Sequence, residues 1–207
     1  MSTRVQPPPA APARHVLWWR PGAADWWMGV LFAIGSTCFA VASFISQWAS
    51  VPRPGLGVTF FTGSIFFTSA AFLQLRLSET PADRRASLIQ FAGTLFFNVS
   101  TFMGMQHGFD ARETNLRVWT PDVFGSICFL VSSWLAYLLV RRPSIEWRVA
   151  ALNLLGSIFF GVSAAAALVE PSTSEPVSAA IANAGTTAGA VCFFAGAVML
   201  IPKEVRP

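Results

Sequence analysis

Six long stretches of this chain carry no Asp, Glu, Lys or Arg well inside them: roughly 26–48, 58–77, 87–106, 122–140, 149–169 and 179–201. Each has about the 20 residues that an α-helix needs to cross a hydrocarbon layer of about 30 Å. In lipid an unpaired backbone amide costs several kcal/mol, so only helices or closed barrels survive there. Continuous apolarity without strict alternation excludes the barrel. Composition agrees, since 54% of the 207 residues are hydrophobic and 12% are charged, against roughly a quarter charged in a soluble domain. The expected fold class is an all-α membrane protein, a six-transmembrane-helix bundle whose surroundings are the lipid bilayer.

Orientation follows from Lys and Arg in the short connections. Eleven fall before the first span, in the second and fourth connections and in the tail: Arg4, Arg14, Arg20, Arg76, Arg84, Arg85, Arg141, Arg142, Arg148, Lys203 and Arg206. The other side holds only Arg53, Arg112 and Arg117. Both termini are therefore expected in the cytoplasm, with the protein multi-pass in the cell membrane. Seven of the eight Trp residues lie at or near span ends, where an amphipathic ring prefers the headgroup region; Trp134 lies inside its span. Topology thus accounts for the net charge of +4, and no nucleic acid is expected as a partner. Residues 1–24, rich in Pro with scattered Arg, read as a disordered cytoplasmic lead. The apolar run that follows is too long for the core of a cleaved signal peptide. The transmembrane domain is placed at 25–201 and a cytoplasmic tail at 202–207.

Every span repeats a short pattern: Gly, usually a hydroxyl residue, an apolar residue, Cys or Phe, then Phe, and a small residue seven places after the Gly. The Gly and Phe pairs are Gly35 and Phe39, Gly63 and Phe67, Gly93 and Phe97, Gly125 and Phe129, Gly156 and Phe160, and Gly189 and Phe193. At 3.6 residues per turn these positions share one helix face. Lipid offers no hydrophobic drive between helices, so small residues that allow close approach mark the packing seam. Hydroxyls at Ser36, Ser64, Thr94, Ser126 and Ser157 are expected to bond to a helix carbonyl or to a neighbouring helix. The sixth span has two readings, because Ala-Gly-Thr at 184–186 matches 92–94 while the stripe prefers Gly189.

The halves, about 25–106 and 120–201, also resemble one another. Gly-Ser-x-Cys-Phe recurs at 35–39 and 125–129, and Gly-Ser-Ile-Phe-Phe at 63–67 and 156–160. Three helices per half would invert the second against the first, an inverted repeat about an axis in the membrane plane. Three copies of a two-helix unit are the alternative grouping.

Few residues invite chemistry. Cys38, Cys128 and Cys192 share the fourth place of the repeat, where Phe serves equally in other helices, so they read as packing residues. Met103, Met105 and His107 combine thioether and imidazole, but helical spacing spreads them round the axis, and no metal or other cofactor is assigned. Asn98, Asn153 and Asn183 lie within the third, fifth and sixth spans; an amide in hydrocarbon needs a partner or a wet cavity, which makes them candidates for a polar pathway. With no ionisable group at mid-membrane, an ion-coupled pump is disfavoured. The connection at 106–121 is expected to be the one sizeable polar loop opposite the termini. No Walker loop, dinucleotide turn, nucleophile elbow or paired zinc ligands occur, and an enzyme is not expected.

Gly-Thr-Leu-Phe-Phe-Asn-Val-Ser-Thr-Phe at 93–102, the Gly-Ser-Ile-Phe-Phe pairs, and Trp147-Arg148-Val149-Ala150-Ala151-Leu152-Asn153 resemble the YrhK-like bacterial membrane proteins over most of 26–201. The resemblance implies a bacterial inner (cytoplasmic) membrane location and supplies no site residues. The sequence leads to a non-enzymatic accessory or interaction protein, partnered by itself or by another membrane protein. A small transporter or channel for a neutral or weakly polar solute is the alternative.

Overall fold

The computed structural model describes residues 15–48 and 54–205. It contains six membrane-length helices: α1 (Ala24–Trp48), α2 (Pro54–Leu77), α3 (Pro81–Met103), α4 (Ala111–Leu139), α5 (Ile145–Ala166) and α6 (Ala179–Leu200). At 1.5 Å per residue even the shortest, 22 residues long, spans about 33 Å, enough to cross a bilayer core. Outward-facing side chains such as Val58, Phe72, Ile127, Ile158 and Val191 are exposed and apolar, as contact with lipid requires.

Helices adjacent in sequence are adjacent in space, and α6 closes the ring against α1. Close crossings join α1 to α2, α3 to α4 and α5 to α6, each at a pair of seam glycines. A Cβ on Gly63 would lie 3.1 Å from the Gly35 carbonyl, one on Gly125 would lie 3.1 Å from that of Gly93, and one on Gly156 would lie 3.0 Å from that of Gly189. The sixth helix therefore uses the Gly189 register, while Gly185 packs one turn away against Phe159 and Ser163. Each junction between these hairpins carries a hydroxyl pair: Ser64 with Thr101 at 3.0 Å, Ser133 with Ser157 at 2.8 Å, and Ser43 with Thr187 at 2.8 Å.

The ring is continuous: α1 packs against α6 as extensively as α5 does, while the paired glycine crossings recur at every second junction. In the ring α1 lies opposite α4, and the two halves of the chain run round it in the same sense. An axis in the membrane plane would reverse that sense, so the likeness of the halves resides in sequence.

Polar caps start the helices before their apolar runs. The Thr80 hydroxyl accepts from the Asp83 amide with Pro81 at the first position, and Ser144 and Ser178 accept from the amides of Trp147 and Ile181. The largest revision concerns residues 106–121, expected as a loop. Asp110 and Glu113 form a capping box, and α4 begins at Ala111, eleven residues before Asp122. A wider π-helical turn at Asn115–Trp119 follows. Pro121 has no N–H for the Arg117 carbonyl and its ring crowds the preceding turn, and a widened turn relieves both.

Within the segment expected to be disordered, His15–Leu17 forms a strand antiparallel to Lys203–Val205. Arg20 pairs with Asp25 at 3.0 Å and donates to the Ile201 carbonyl at 3.2 Å. Both ends of the described chain therefore meet at one end of the bundle, the terminus face; the opposite end is the loop face. Residues 1–14, 49–53 and 206–207 of the expected lead, first connection and tail lie outside the described residues.

Candidate functional site: two cavities and a phenylalanine layer

All six repeat phenylalanines converge on the bundle axis. Phe39, Phe67, Phe97, Phe129, Phe160 and Phe193 are buried, Phe129 with 1% exposure. Neighbouring ring centroids lie 5.1 to 6.4 Å apart, mostly edge to face, the arrangement that suits the ring quadrupoles. The seam thus divides its labour: glycines bring helix pairs together at the periphery, and the rings fill the middle.

A cavity opens on each side of this layer. Toward the terminus face one of about 220 Å3 is lined by Phe32, Gln74, Gln90, Glu146 and Asn153 among others. Toward the loop face one of about 290 Å3 is lined by Phe60, Trp119, Asp122, Ser163, Asn183 and Thr186 among others. A recess of about 20 Å3 runs from Asp122 and Ser126 to Phe39, Phe97 and Phe160, so the larger cavity reaches the aromatic layer.

The repeat explains these linings. The residue three before each seam glycine lies one turn nearer the helix start on the same face. Because alternate helices start at opposite ends, α1, α3 and α5 contribute Phe32, Gln90 and Asn153 to the terminus-face cavity, and α2, α4 and α6 contribute Phe60, Asp122 and Thr186 to the other. Each cavity therefore has one aromatic and two polar residues at this level. The pattern is legible in the sequence once the −3 position is aligned, and it marks Gln90, Asp122 and Thr186, which the reading by isolated Asn residues passed over.

Asp122 corrects the expectation that no span holds an acid well inside it. Seven residues separate it from Phe129, about 10 Å along the helix, and it lines the loop-face cavity. Among the described residues it makes no hydrogen bond or ion pair. Its helix is held in register by flanking contacts: Asn115 donates to the Val169 carbonyl at 2.7 Å and accepts from its amide at 3.0 Å, and the Trp119 indole donates to the Ala164 carbonyl at 2.8 Å.

The three asparagines do not form one path. Asn153 and Asn183 line opposite cavities, and their side-chain amides have no hydrogen-bond partner among the described residues. Asn98 sits between α2 and α3, where it donates to Thr68 at 2.9 Å. It is a packing residue. Unpartnered amides and a carboxyl in the membrane interior are costly when dry, and cavities of 220 and 290 Å3 hold several waters at about 30 Å3 each. The geometry is that of two recesses, each large enough for several waters, facing each other across a closed aromatic layer.

No family model, curated protein or solved structure matches this chain. The bundle is therefore read from its own geometry.

The remaining candidates sit apart from the cavities. Cys38 and Cys128 pack at the glycine crossings, against Gly63 and Gly93, and all three thiols are free. Met105 packs on Gly57 and His107 is exposed. Among the described residues no His, Cys, Asp and Glu side chains group as metal ligands. Ser64, Thr94 and Ser157 each donate to a carbonyl of their own helix, and Ser126 donates to the Phe160 carbonyl of the next. Ser36 is buried without a hydrogen-bond partner among the described residues.

Proposed function

We propose that the bundle passes a small, weakly polar solute across a bacterial cytoplasmic membrane, with the terminus face in the cytoplasm. The observation that carries this reading is a pair of largely apolar cavities, each with a few polar side chains in its wall, divided by a single layer of phenylalanines. A helix bundle that needed only to pack would gain nothing by leaving Asn153, Asn183 and Asp122 without partners on either side of its centre. The count of eleven Lys and Arg against three supports the orientation, and the resemblance to YrhK-like proteins supports the membrane. Binding and passage rest on shape, amides and hydroxyls, without covalent chemistry.

A second reading, an accessory protein that partners itself or another membrane protein, draws support from the closed aromatic layer, which leaves no open path at the centre. Stopped-flow swelling of proteoliposomes with small polar solutes such as glycerol and urea separates the two. The passage reading predicts flux above that of empty vesicles, reduced by Asn183→Leu and raised by Phe129→Ala. Flux equal to empty vesicles for every solute, with Phe129→Ala included, would refute it. Crosslinking in native membranes would then identify the partner.

A further inference from the structure

We propose that the loop-face cavity binds a small organic cation, its ammonium group against Asp122; this rests on the passage reading and adds a charged ligand to the weakly polar solutes of that reading. Among the described residues the Asp122 carboxylate is the only ionisable group lining that cavity, and it has no partner there. A charge in the membrane interior is stable only beside an opposite charge or in a wet, polar site. The chain has more Lys and Arg than Asp and Glu, yet among the described residues no basic side chain lines either cavity, and the terminus-face cavity also carries one acid, Glu146. The counter-charge is therefore left to the solute.

The rest of the lining selects the kind of cation. A metal ion would want several oxygen ligands, whereas one carboxylate shares this cavity with the aromatic side chains of Phe39, Phe60 and Trp119. Aromatic faces attract ammonium groups, and quaternary ammonium recognition uses such surroundings. The hydroxyls of Ser163 and Thr186, bonded to each other at 2.7 Å, offer a further polar contact at the cavity wall.

Isothermal titration of the full chain in phosphatidylglycerol nanodiscs, which hold no lipid ammonium group, tests the site. The probes are choline, whose charge is fixed, and 3,3-dimethylbutan-1-ol, its neutral isostere. Choline should bind saturably at least tenfold more tightly than the alcohol. Asp122→Asn, which keeps the shape, should abolish that preference, whereas Glu146→Gln, in the other cavity, should leave it intact. Equal binding of the two probes to the native chain, or an undiminished preference in a folded Asp122→Asn variant, would overturn the cation assignment while leaving passage of a neutral solute standing. Absence of binding by either probe would overturn the assignment and count against the passage reading as well. Should Asp122→Asn fail to fold, the comparison of the two probes on the native chain decides alone.

Discussion

A single methyl group decides whether two helices of this bundle can meet. At Gly63 an added Cβ would lie 2.9 Å from both Cys38 and Phe39, whereas at Gly161, in the same kind of apolar helix, it would meet nothing within 4 Å. Overpacking a close contact costs roughly 1–3 kcal/mol. Gly63→Leu should therefore lower the thermal midpoint of the purified protein in detergent by several degrees, and Gly161→Leu should leave it near the native value; equal behaviour would dismiss the seam. The glycine stripe was legible in the sequence because small residues at helical spacing have few other uses in lipid. Asp122 was not, because charges at 110–117 and Pro121 made it look like the edge of a span. Sequence hydropathy sees a charge, while a capping box and a widened turn decide whether the helix starts before it or after it.

Among the elements, α4 gains most from its connections. Its π turn is tied to the α5–α6 connection by two hydrogen bonds between Asn115 and Val169, each contributing about 0.5–1.5 kcal/mol. Asn115→Leu should speed hydrogen exchange at the Val169 amide by at least tenfold, and unchanged exchange would show that the connection is held by other means. At the start of α3, Thr80→Ala removes an N-cap and should cost about 1 kcal/mol, seen as faster exchange in the first turn of α3 with the rest of the bundle unaffected. Helix number and approximate extent follow from apolar length. The ends do not, because caps such as Thr80, Ser144 and Ser178 extend helices into polar sequence that hydropathy counts as loop.

At the scale of the whole molecule, three hairpins close into a ring and their six phenylalanines seal its centre. Replacing a buried Phe by Ala costs roughly 3–5 kcal/mol in well-packed cores, and at Phe129, with 1% exposure, it also removes part of the wall between the two cavities. Phe129→Ala should thus be less stable yet more permeable, a combination that a purely structural core residue would not give. The sequence carried the repeat but not its arrangement: spacing is compatible with two halves or three hairpins, and the ring order, with α6 against α1, emerges only from the packing. The placement of Asn153 and Asn183 on opposite sides of one layer is likewise a consequence of that order and of alternating helix direction.

The most direct test of this account is the water accessibility of the two cavities. In a chain whose three cysteines are replaced by serine, Thr186→Cys and Asn153→Cys are exposed in sealed vesicles to a membrane-impermeant thiol reagent from one side at a time. Thr186→Cys should be labelled from the loop face and Asn153→Cys from the terminus face. Absence of labelling at both positions from either side would contradict this expectation, leaving a dry bundle with no vestibules for a solute to enter.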